Sequence, residues 1–355
     1  MKILLTGGGT AGHVTPNLAL LPPLWAEGFE VVYMGSRNGV EKTLLENEGV
    51  PYYGVSAGKL RRYLSKQNIS DAFQVLKGIG EAKKLMKIIR PDLVFSKGGF
   101  VAVPVVLAAK KCGVPVIIHE SDMSPGLANR LALPAARVVC TNFPETAERL
   151  GEKAVYTGTP IRASLFDGKR ERGLALCGFT GEKPVLLMMG GSSGAQKLNE
   201  ILRSALPLLL PRFDVVHLCG KGNRDENLAG MAGYFQLEYA DRELPDLFAA
   251  TDLMLSRAGA NAIAELLALH KPSLLVPLPL SASRGDQIEN AASFAKQGYA
   301  MVMQQEELTP EALAAGLATL WENRQQYIEA MEHSPAHNGT EAVMAQIRKV
   351  AATVK

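Results

Sequence analysis

Residues 3–20 have the sequence ILLTGGGTAGHVTPNLAL, and residues 185–202 have the sequence VLLMMGGSSGAQKLNEIL. Each stretch places a short apolar run before a pair of glycines, small polar residues and a segment with helical spacing. In a parallel sheet covered by helices, such a run forms a buried strand and the glycine turn leads into the next helix. The two stretches therefore predict an internal repeat, with one Rossmann-like domain in each half of the chain.

Other short apolar runs extend this pattern along both halves. They lie at residues 31–34, 93–95, 215–218, 253–255, 274–276 and 300–302. Helical spacing at residues 17–25 and 82–89 separates the runs of the first half. The predicted fold class is α/β, with parallel sheets in two Rossmann-like domains. We expect these domains at residues 1–160 and 161–338, followed by a C-terminal helix at 339–355 that can pack back on the first domain.

Composition argues against several classes of protein. The 355 residues are 47% hydrophobic and 21% charged, as in a folded globular chain. A net charge of +3 is too small for a typical nucleic-acid binder, so no nucleic-acid partner is expected. The four cysteines have no paired spacing and no histidine at ligand spacing, which argues against a disulfide framework and a zinc site. We expect no export signal, and no apolar run approaches the ~20 residues that cross a bilayer.

The first glycine loop, Gly7–His13, follows a predicted strand and opens a predicted helix. Its backbone N–H groups and the helix dipole can therefore meet an anion or a polar ligand. A tight turn without any ligand is the alternative explanation. NAD-binding domains end their second strand with an acidic residue, whereas residues 34–37 are Met-Gly-Ser-Arg, which disfavours a dehydrogenase.

The second glycine loop, Gly190–Ala195, is placed to receive a phosphate oxygen through the Ser192 hydroxyl and nearby amides. Gln196 precedes Lys197 and takes the place of the lysine of a P-loop, so ATP hydrolysis of that kind is not expected. Two such loops in one chain suggest that two ligands meet.

Two later segments add groups that suit a nucleotide-sugar. Gly259 opens a predicted helix that reaches Glu265 after about two turns, where a carboxylate could bind a ribose diol. An ordinary solvent-facing glutamate is the alternative. Gln287 and Asn290 are spaced i, i+3 on one helix face, and their amides suit sugar hydroxyls.

Seven motifs, in chain order, carry a resemblance that covers nearly the whole chain. They are GGGTAGHVTPNLAL from Gly7, SKGGFVAVPV from Ser96, HESDMSPGLANR from His119, TGTPIR from Thr157, GGSSGAQKLN from Gly190, RAGANAIAE from Arg257 and DQIENA from Asp286. On these motifs, the chain resembles the MurG family of glycosyltransferases. That family moves N-acetylglucosamine (GlcNAc) from UDP-GlcNAc to the membrane-anchored muramyl-pentapeptide intermediate lipid I, giving lipid II for peptidoglycan.

The resemblance implies a GT-B fold, in which two Rossmann-like domains face a central cleft, and transfer with inversion at the anomeric carbon. It implies neither a cofactor nor a metal ion. The implied UDP-GlcNAc site comprises Thr10, Ala11, Gly12, Arg162, Ser192, Arg257, Gly259, Ala260, Asn261, Ala262, Glu265, Gln287 and Asn290. The implied acceptor site comprises Gly8, Gly9, Gly98, Gly99, Phe100 and Asn129.

The chain departs from the more familiar family pattern at three positions. Phe100 stands where many members have tyrosine, Asp122 where many have asparagine, and Ala262 where many have serine or threonine. Side-chain roles at these positions are therefore in doubt, although the backbone amide of Ala262 can still bind the donor.

Inversion requires a base that takes the proton of the acceptor hydroxyl as it attacks. His13 is the best candidate, since the resemblance places it where acceptor and donor sugar meet. The alternative is that His13 only hydrogen-bonds the glycine loop, as a neutral or charged imidazole can do either. Glu120 and Asp122 are the weaker candidates.

Basic and apolar residues are interleaved between positions 59 and 87, and Val75 is one of the apolar residues. This pattern favours reversible docking on the anionic inner face of the cytoplasmic membrane, and hence a peripheral protein. A solvated charged helix face is the alternative. The residues of the predicted membrane patch are Leu60, Arg61, Arg62, Phe73, Lys83 and Lys84.

Other functions remain open from the sequence. The chain could be a GT-B transferase with another lipid or a small-molecule acceptor, or a UDP-GlcNAc epimerase. A sugar-nucleotide-binding or scaffolding protein without activity is the non-enzymatic alternative. Other proteins of cell-wall synthesis are possible partners of the leading candidate.

Overall fold

The computed structural model describes residues 1–58, 66–190, 195–336 and 339–354. The chain divides into two compact units. The first unit comprises Met1–Arg162 and Asn338–Lys355, and the second unit comprises Ala163–His337. The first unit is therefore discontinuous in sequence, whereas the second is one continuous segment.

Strands and helices alternate along the chain. The strands are β1 (Lys2–Thr6), β2 (Glu30–Ser36), β3 (Tyr52–Val55), β4 (Leu93–Ser96), β5 (Val116–Glu120), β6 (Val138–Thr141), β7 (Ala154–Tyr156), β8 (Val185–Met189), β9 (Asp214–Leu218), β10 (Tyr234–Leu237), β11 (Leu253–Ser256), β12 (Ser273–Leu275) and β13 (Met301–Val302). The α-helices are α1 (Thr15–Ala26), α2 (Val40–Asn47), α3 (Lys66–Ile89), α4 (Ala102–Lys111), α5 (Leu127–Ala132), α6 (Pro144–Leu150), α7 (Arg170–Cys177), α8 (Gln196–Leu209), α9 (Leu244–Ala250), α10 (Ala260–Ala268), α11 (Asp286–Lys296), α12 (Pro310–Glu322), α13 (Arg324–Glu332) and α14 (Gly339–Ala351). Short 3-10 helices lie at Ala11–His13, Leu133–Ala135, Gly151–Lys153, Ala163–Phe166, Glu226–Leu228 and Gln305–Glu307.

The first unit is built on a parallel sheet of seven strands in the order β3-β2-β1-β4-β5-β6-β7. Its central strands are apolar on both faces because helices cover both. Ile3 and Leu5 of β1 pack on one face with α1 and α14, whereas Leu4 packs on the other face with α3 and α4. Alternate residues of one strand thus support two helical layers.

Helix α14 completes the core of the first unit. Its side chains Val343, Ile347 and Val350 are buried against β1 and α1. Just before this packed stretch, the Thr340 hydroxyl donates to the Ile161 carbonyl at 3.1 Å and accepts from the Ile161 amide at 3.0 Å. The last helix is therefore fixed to the end of the first long segment of this unit.

The second unit has a parallel sheet of six strands in the order β10-β9-β8-β11-β12-β13. Its six strands follow the same order as the first six strands of the first sheet, and side chains of α8 and α12 share one apolar core with β8, β9, β11 and β12. These two sheets confirm the predicted α/β class. Among the described residues, no helix combines the length and apolar character that a membrane crossing requires.

Each sheet has one point at which the order of its strands reverses. It lies between β1 and β4 in the first unit and between β8 and β11 in the second. In sheets of this kind, ligands bind at the carboxyl ends of the strands beside the reversal. Both glycine loops of the sequence begin at these strand ends, directly after β1 and directly after β8.

Candidate functional site

In the first unit, the loops after β1 and β4 lie against each other. Gly9 and Gly99 have φ angles of 88° and 80°, which favour glycine. A Cβ atom on Gly99 would lie 2.3 Å from the Gly8 carbonyl oxygen, and one on Gly9 would lie 2.4 Å from Cε1 of Phe100. Only glycine allows this approach, so the structure brings the predicted acceptor residues of these two loops together.

Asn129 of α5 joins this group. A Cβ atom on Gly98 would lie 2.8 Å from Asn129 Oδ1. The buried Asn129 amide donates to the His119 carbonyl at 3.2 Å and to Glu120 Oε2 at 2.8 Å. Its Oδ1 has no hydrogen-bond partner within the described part of the chain. Asn129 is therefore held by β5 with one acceptor oxygen directed toward the loop after β4.

Glu120 organises the loop that follows β5. Its Oε1 accepts from the Asp122 amide at 3.0 Å, and its Oε2 accepts from the Gly126 amide at 3.2 Å and from Asn129. The carboxyl group is buried, and burial followed by the charge of Asp122 raises its pKa. Glu120 is thus engaged by its own loop on both oxygens, while Asp122 lies half-buried beside it.

His13 ends the first glycine loop, in which Thr10 is exposed, Ala11 begins a 3-10 turn and Gly12 is half-buried. Cδ2 of the His13 ring lies 3.1 Å from the position that a Cβ atom would take on Gly99. Burial, followed by the positive charge of Lys97, lowers the pKa of His13 to about 4, although a hydrogen bond to the Lys97 backbone opposes this. His13 is therefore neutral at pH 7, and its Nδ1 has no hydrogen-bond partner among the described residues.

Sequence reasoning missed Lys97, which follows β4 directly. Its side chain is only 1% exposed, and its ammonium donates a hydrogen bond to the Ser121 hydroxyl. Burial lowers the pKa of Lys97, and the charges of Glu120 and Asp122 oppose that change. Lys97 could have been identified from its position, since it lies at the carboxyl end of a predicted central strand, inside the motif SKGGF.

Glu41 of α2 was also missed. Its side chain is fully buried and accepts from the Gly9 amide at 3.3 Å, the Ser36 amide at 3.0 Å and the Ser36 hydroxyl at 2.5 Å. A Cβ atom on Gly8 would lie 2.6 Å from its carboxyl carbon. Glu41 therefore holds the first glycine loop in place through its hydrogen bond from the Gly9 amide.

In the second unit, the described part of the candidate donor site surrounds the start of α10. Gly259 precedes this helix and provides no side-chain cap. The amides of the first turn, at Ala260, Asn261 and Ala262, and the helix dipole favour a negatively charged ligand there. Glu265 lies half-buried on the same helix. Ser192, predicted in the second glycine loop, lies outside the described residues.

Three other predicted donor residues connect the loops around α10. The buried Arg257 guanidinium donates to the carbonyls of Val276 and Pro277, at 3.1 and 3.3 Å, and to Gln305 Oε1 at 2.6 Å. Asn290 is fully buried, and its amide donates to the Ala258 carbonyl at 3.2 Å. Oε1 of the half-buried Gln287 accepts from the Leu278 amide at 3.1 Å. These side chains fix the positions of the loops after β11 and β12.

Two predicted features remain. Arg162, at the end of the long segment of the first unit, is half-buried, and its Nε has no hydrogen bond within the described ranges.

The second feature is the predicted membrane patch. On α3, Lys83 and Lys84 are exposed and Phe73 is 68% exposed. Val75, which lies between these residues in the sequence, is buried and is not one of the patch residues. Leu60, Arg61 and Arg62 lie outside the described residues. In the part of the chain that is described, no group of three or more His, Cys, Asp or Glu side chains could hold a metal ion.

Comparison with known proteins matches both halves of the chain to one family. The glycosyltransferase family 28 N-terminal domain matches residues 3–141, and the C-terminal domain of the same family matches residues 185–347. A protein of Lachnoclostridium phytofermentans is 57% identical over 98% of this chain and 99% of its own length. Its name is UDP-N-acetylglucosamine--N-acetylmuramyl-(pentapeptide) pyrophosphoryl-undecaprenol N-acetylglucosamine transferase.

Solved structures agree with this result. The crystal structure of Acinetobacter baumannii MurG is 30% identical and has a TM-score of 0.77, with 98% of this chain and 99% of that chain covered. A putative UDP-N-acetylglucosamine 2-epimerase from Listeria monocytogenes has a TM-score of 0.72 at 13% identity, over 98% of this chain and 96% of that one. The second likeness shows the shared fold alone.

Proposed function

This chain belongs to glycosyltransferase family 28, and from that membership we propose which sugar it transfers and to what acceptor. It moves GlcNAc from UDP-GlcNAc to the 4-hydroxyl of the N-acetylmuramyl group of lipid I, and forms lipid II with inversion at the anomeric carbon. The observation that carries this proposal is the full-length match, at 57% identity, to a transferase named for that sugar and that acceptor. The chain is a hexosyltransferase, and its proposed place is in peptidoglycan synthesis.

The donor is assigned to the second unit. The amides at the start of α10 and the Ser192 hydroxyl bind the diphosphate, because a helix N-terminus and nearby donors stabilise negative charge. Glu265 accepts hydrogen bonds from the ribose hydroxyls. Gln287 presents its amide nitrogen to the GlcNAc hydroxyls, since its oxygen is engaged by Leu278. Arg257 and Asn290 act by holding these loops in place.

The acceptor is assigned to the first unit. The loops that contain Gly8, Gly9, Gly98 and Gly99 leave the backbone without side chains at the strand reversal, so a sugar or a diphosphate can approach closely. Phe100 offers an apolar face, and the Asn129 oxygen can accept from a hydroxyl group. Thr10, Ala11 and Gly12 border the sugar that is transferred.

The transfer requires one proton acceptor and one stabilised leaving group. As the acceptor oxygen attacks the anomeric carbon, its proton passes to His13, whose imidazole is neutral at pH 7. The bond to UDP breaks, and the α10 amides stabilise the negative charge of the departing diphosphate. A bound diphosphate also raises the pKa of a nearby imidazole, which makes His13 a stronger base once the substrates are present.

The patch on α3 brings the enzyme to its acceptor. Phe73 and Leu76 are 68% and 65% exposed, and Lys83 and Lys84 provide positive charge on the same helix. Together with Leu60, Arg61 and Arg62, they dock on the anionic inner face of the cytoplasmic membrane. The protein is then a peripheral enzyme that acts where a membrane-anchored substrate lies.

A transfer assay tests the proposal. The full chain is incubated with UDP-GlcNAc labelled in the sugar and a soluble lipid I analogue, and the products are separated and analysed by mass. We expect a disaccharide product and UDP in equal amounts. A matched analogue without the 4-hydroxyl of the N-acetylmuramyl group should accept no sugar.

Two results would contradict the proposal. Transfer to the 4-deoxy analogue would show that another hydroxyl is the acceptor. Conversion of UDP-GlcNAc to a nucleotide-sugar inverted at C2, without any acceptor, would favour an epimerase.

A further inference from the structure

Lys97 occupies an unusual position for a lysine. Its backbone amide donates to the Thr6 carbonyl at 2.9 Å, which joins the ends of β4 and β1. Its Cβ lies 3.2 Å from the position that a Cβ atom would take on Gly7. The side chain is 1% exposed, and lysine is almost never buried unless it is paired. A buried cation therefore lies beneath the strand reversal of the first unit.

The ammonium group faces the start of the loop after β5. It donates to the Ser121 hydroxyl, and it interacts electrostatically with Glu120 and Asp122 on either side of that serine. Glu120 in turn holds the amides of Asp122 and Gly126. Two carboxyl groups and one hydroxyl are thus arranged around a single positive charge.

Lys97 also acts on the two histidines of the first unit, His13 and His119. The His13 ring makes a hydrogen bond to the Lys97 backbone, and the Lys97 charge disfavours a second positive charge on His13. The same charge acts on the buried His119, whose Nε2 lies 2.9 Å from the Gly158 carbonyl oxygen. Lys97 is therefore linked both to the candidate base and to the acidic loop.

We propose that Lys97 is a positioning residue of the transfer site, whose buried charge sets the electrostatic environment of His13 and whose hydrogen bond to Ser121 holds the loop of Glu120, Ser121 and Asp122 in place. The proposal rests on the proposed function in one respect, namely that His13 takes the proton of the acceptor. The Lys97 side chain is only 1% exposed, so we assign it no direct contact with substrate.

The sign of the effect follows from the charges. Removal of the Lys97 charge removes a repulsion from the imidazolium form, so the pKa of His13 rises from about 4 toward its usual value. A base works only when it is deprotonated, and the acidic limb of the pH profile for kcat then moves to higher pH. Glu120, Asp122 and His119 face Lys97 as well, and their titration is followed in the same experiment.

The test uses the full chain with its histidines labelled with nitrogen-15. The imidazole resonances are titrated by NMR, and the His13 resonance is assigned with His13→Gln. In Lys97→Gln, which keeps a hydrogen-bond donor for Ser121 but has no charge, we expect the pKa of His13 to rise by roughly half a unit or more. Lys97→Arg, which restores the charge, should return the pKa toward that of the wild type.

The same variants are assayed for transfer across the pH range. In Lys97→Gln, the acidic limb of kcat should shift upward in parallel with the NMR titration. An unchanged His13 titration in a folded Lys97→Gln protein would overturn the role of Lys97, whatever its melting temperature. If Lys97→Gln does not fold, the Lys97→Met variant gives the same test.

A third variant separates the charge from the hydrogen bond. Ser121→Ala keeps the ammonium and removes its hydroxyl partner, so the pKa of His13 should stay near that of the wild type while the KM for the acceptor rises. A large change in the His13 titration in this variant would contradict an electrostatic role. Absence of any transfer by the wild-type enzyme would instead contradict the proposed function, and the NMR result would remain a separate test of Lys97.

Discussion

Among single residues, His13 bears most directly on the chemistry of transfer. We predict that His13→Ala lowers kcat by about 10²–10⁴-fold, the usual contribution of a positioned general base, with little change in donor affinity. The measurement is kcat, the Kd for UDP-GlcNAc and the melting temperature on one preparation. The exposed His333, replaced by alanine, provides the control.

A structural histidine would give a different result. Its loss would lower the melting temperature and weaken substrate binding, while kcat of the folded, saturated enzyme stayed within a few-fold. In that case, Glu120 and Asp122 become the next candidates for the base.

Glu265 is the corresponding residue for the donor. We predict that Glu265→Ala weakens binding of UDP-GlcNAc by roughly 10- to 100-fold, because it removes a charged acceptor for the ribose hydroxyls. Titration calorimetry measures the effect, with Glu332→Ala as a matched exposed control. Unchanged donor affinity in a folded Glu265→Ala protein would rule out this assignment.

The sequence indicated the residue types of the candidate site, but it did not indicate which contacts their side chains make. It indicated amides at Gln287 and Asn290, but their hydrogen bonds to Leu278 and Ala258 depend on how neighbouring loops fold back. Lys97 was missed for a related reason. A lysine next to glycines suggests a solvated side chain, and only the packing of β1, β4 and β5 around it shows that it is buried.

At the scale of elements, the outward face of α3 makes a prediction about membrane binding. Lys83→Glu combined with Lys84→Glu should weaken binding to anionic vesicles by roughly tenfold or more, since each exposed lysine near a membrane adds a small attraction that the glutamate reverses. Transfer to a soluble acceptor analogue should be unchanged. Sedimentation with vesicles of phosphatidylglycerol measures the first quantity, and the transfer assay measures the second.

The control for this experiment keeps the net charge equal. Arg242→Glu combined with Lys349→Glu changes two exposed cations outside α3. Equal vesicle binding by the α3 variant and the wild type would contradict the membrane patch. Equal weakening by both pairs would mean that only net charge matters.

Central strands were predicted more completely than strands at the sheet edges. The runs that became β1, β4, β8 and β11 are buried along their whole length or nearly so, and buried parallel strands are continuously apolar. The edge strands β3 and β7 have partly exposed residues and no such run. The pattern does not follow burial alone, because the edge strand β13 was predicted from residues 300–302 and the fully buried β5 was not.

At the scale of the whole molecule, the two units share a strand order but have different proposed ligands. We predict that UDP-GlcNAc alone slows amide hydrogen exchange in residues 256–290, by up to about 100-fold at a concentration 100 times its Kd. Residues 97–129 should respond to a lipid I analogue instead. Mass spectrometry of peptides from the full chain measures both.

The opposite pattern would contradict the assignment of ligands to units. Slower exchange in residues 97–129 with the donor alone, and none in residues 256–290, would place the nucleotide in the first unit. Protection of both segments by the donor alone would mean that the two units respond together.

Helix α14 has a consequence for the way the protein is made. A ribosome synthesises the chain from its N-terminus to its C-terminus. The core of the first unit includes Val343, Ile347 and Val350, which are synthesised after the whole of the second unit. The second unit is continuous and can fold as soon as it has been synthesised. Nascent β1 and α1 must meanwhile keep part of their apolar surface uncovered. The half of the protein that is translated first is thus the half whose core is completed last.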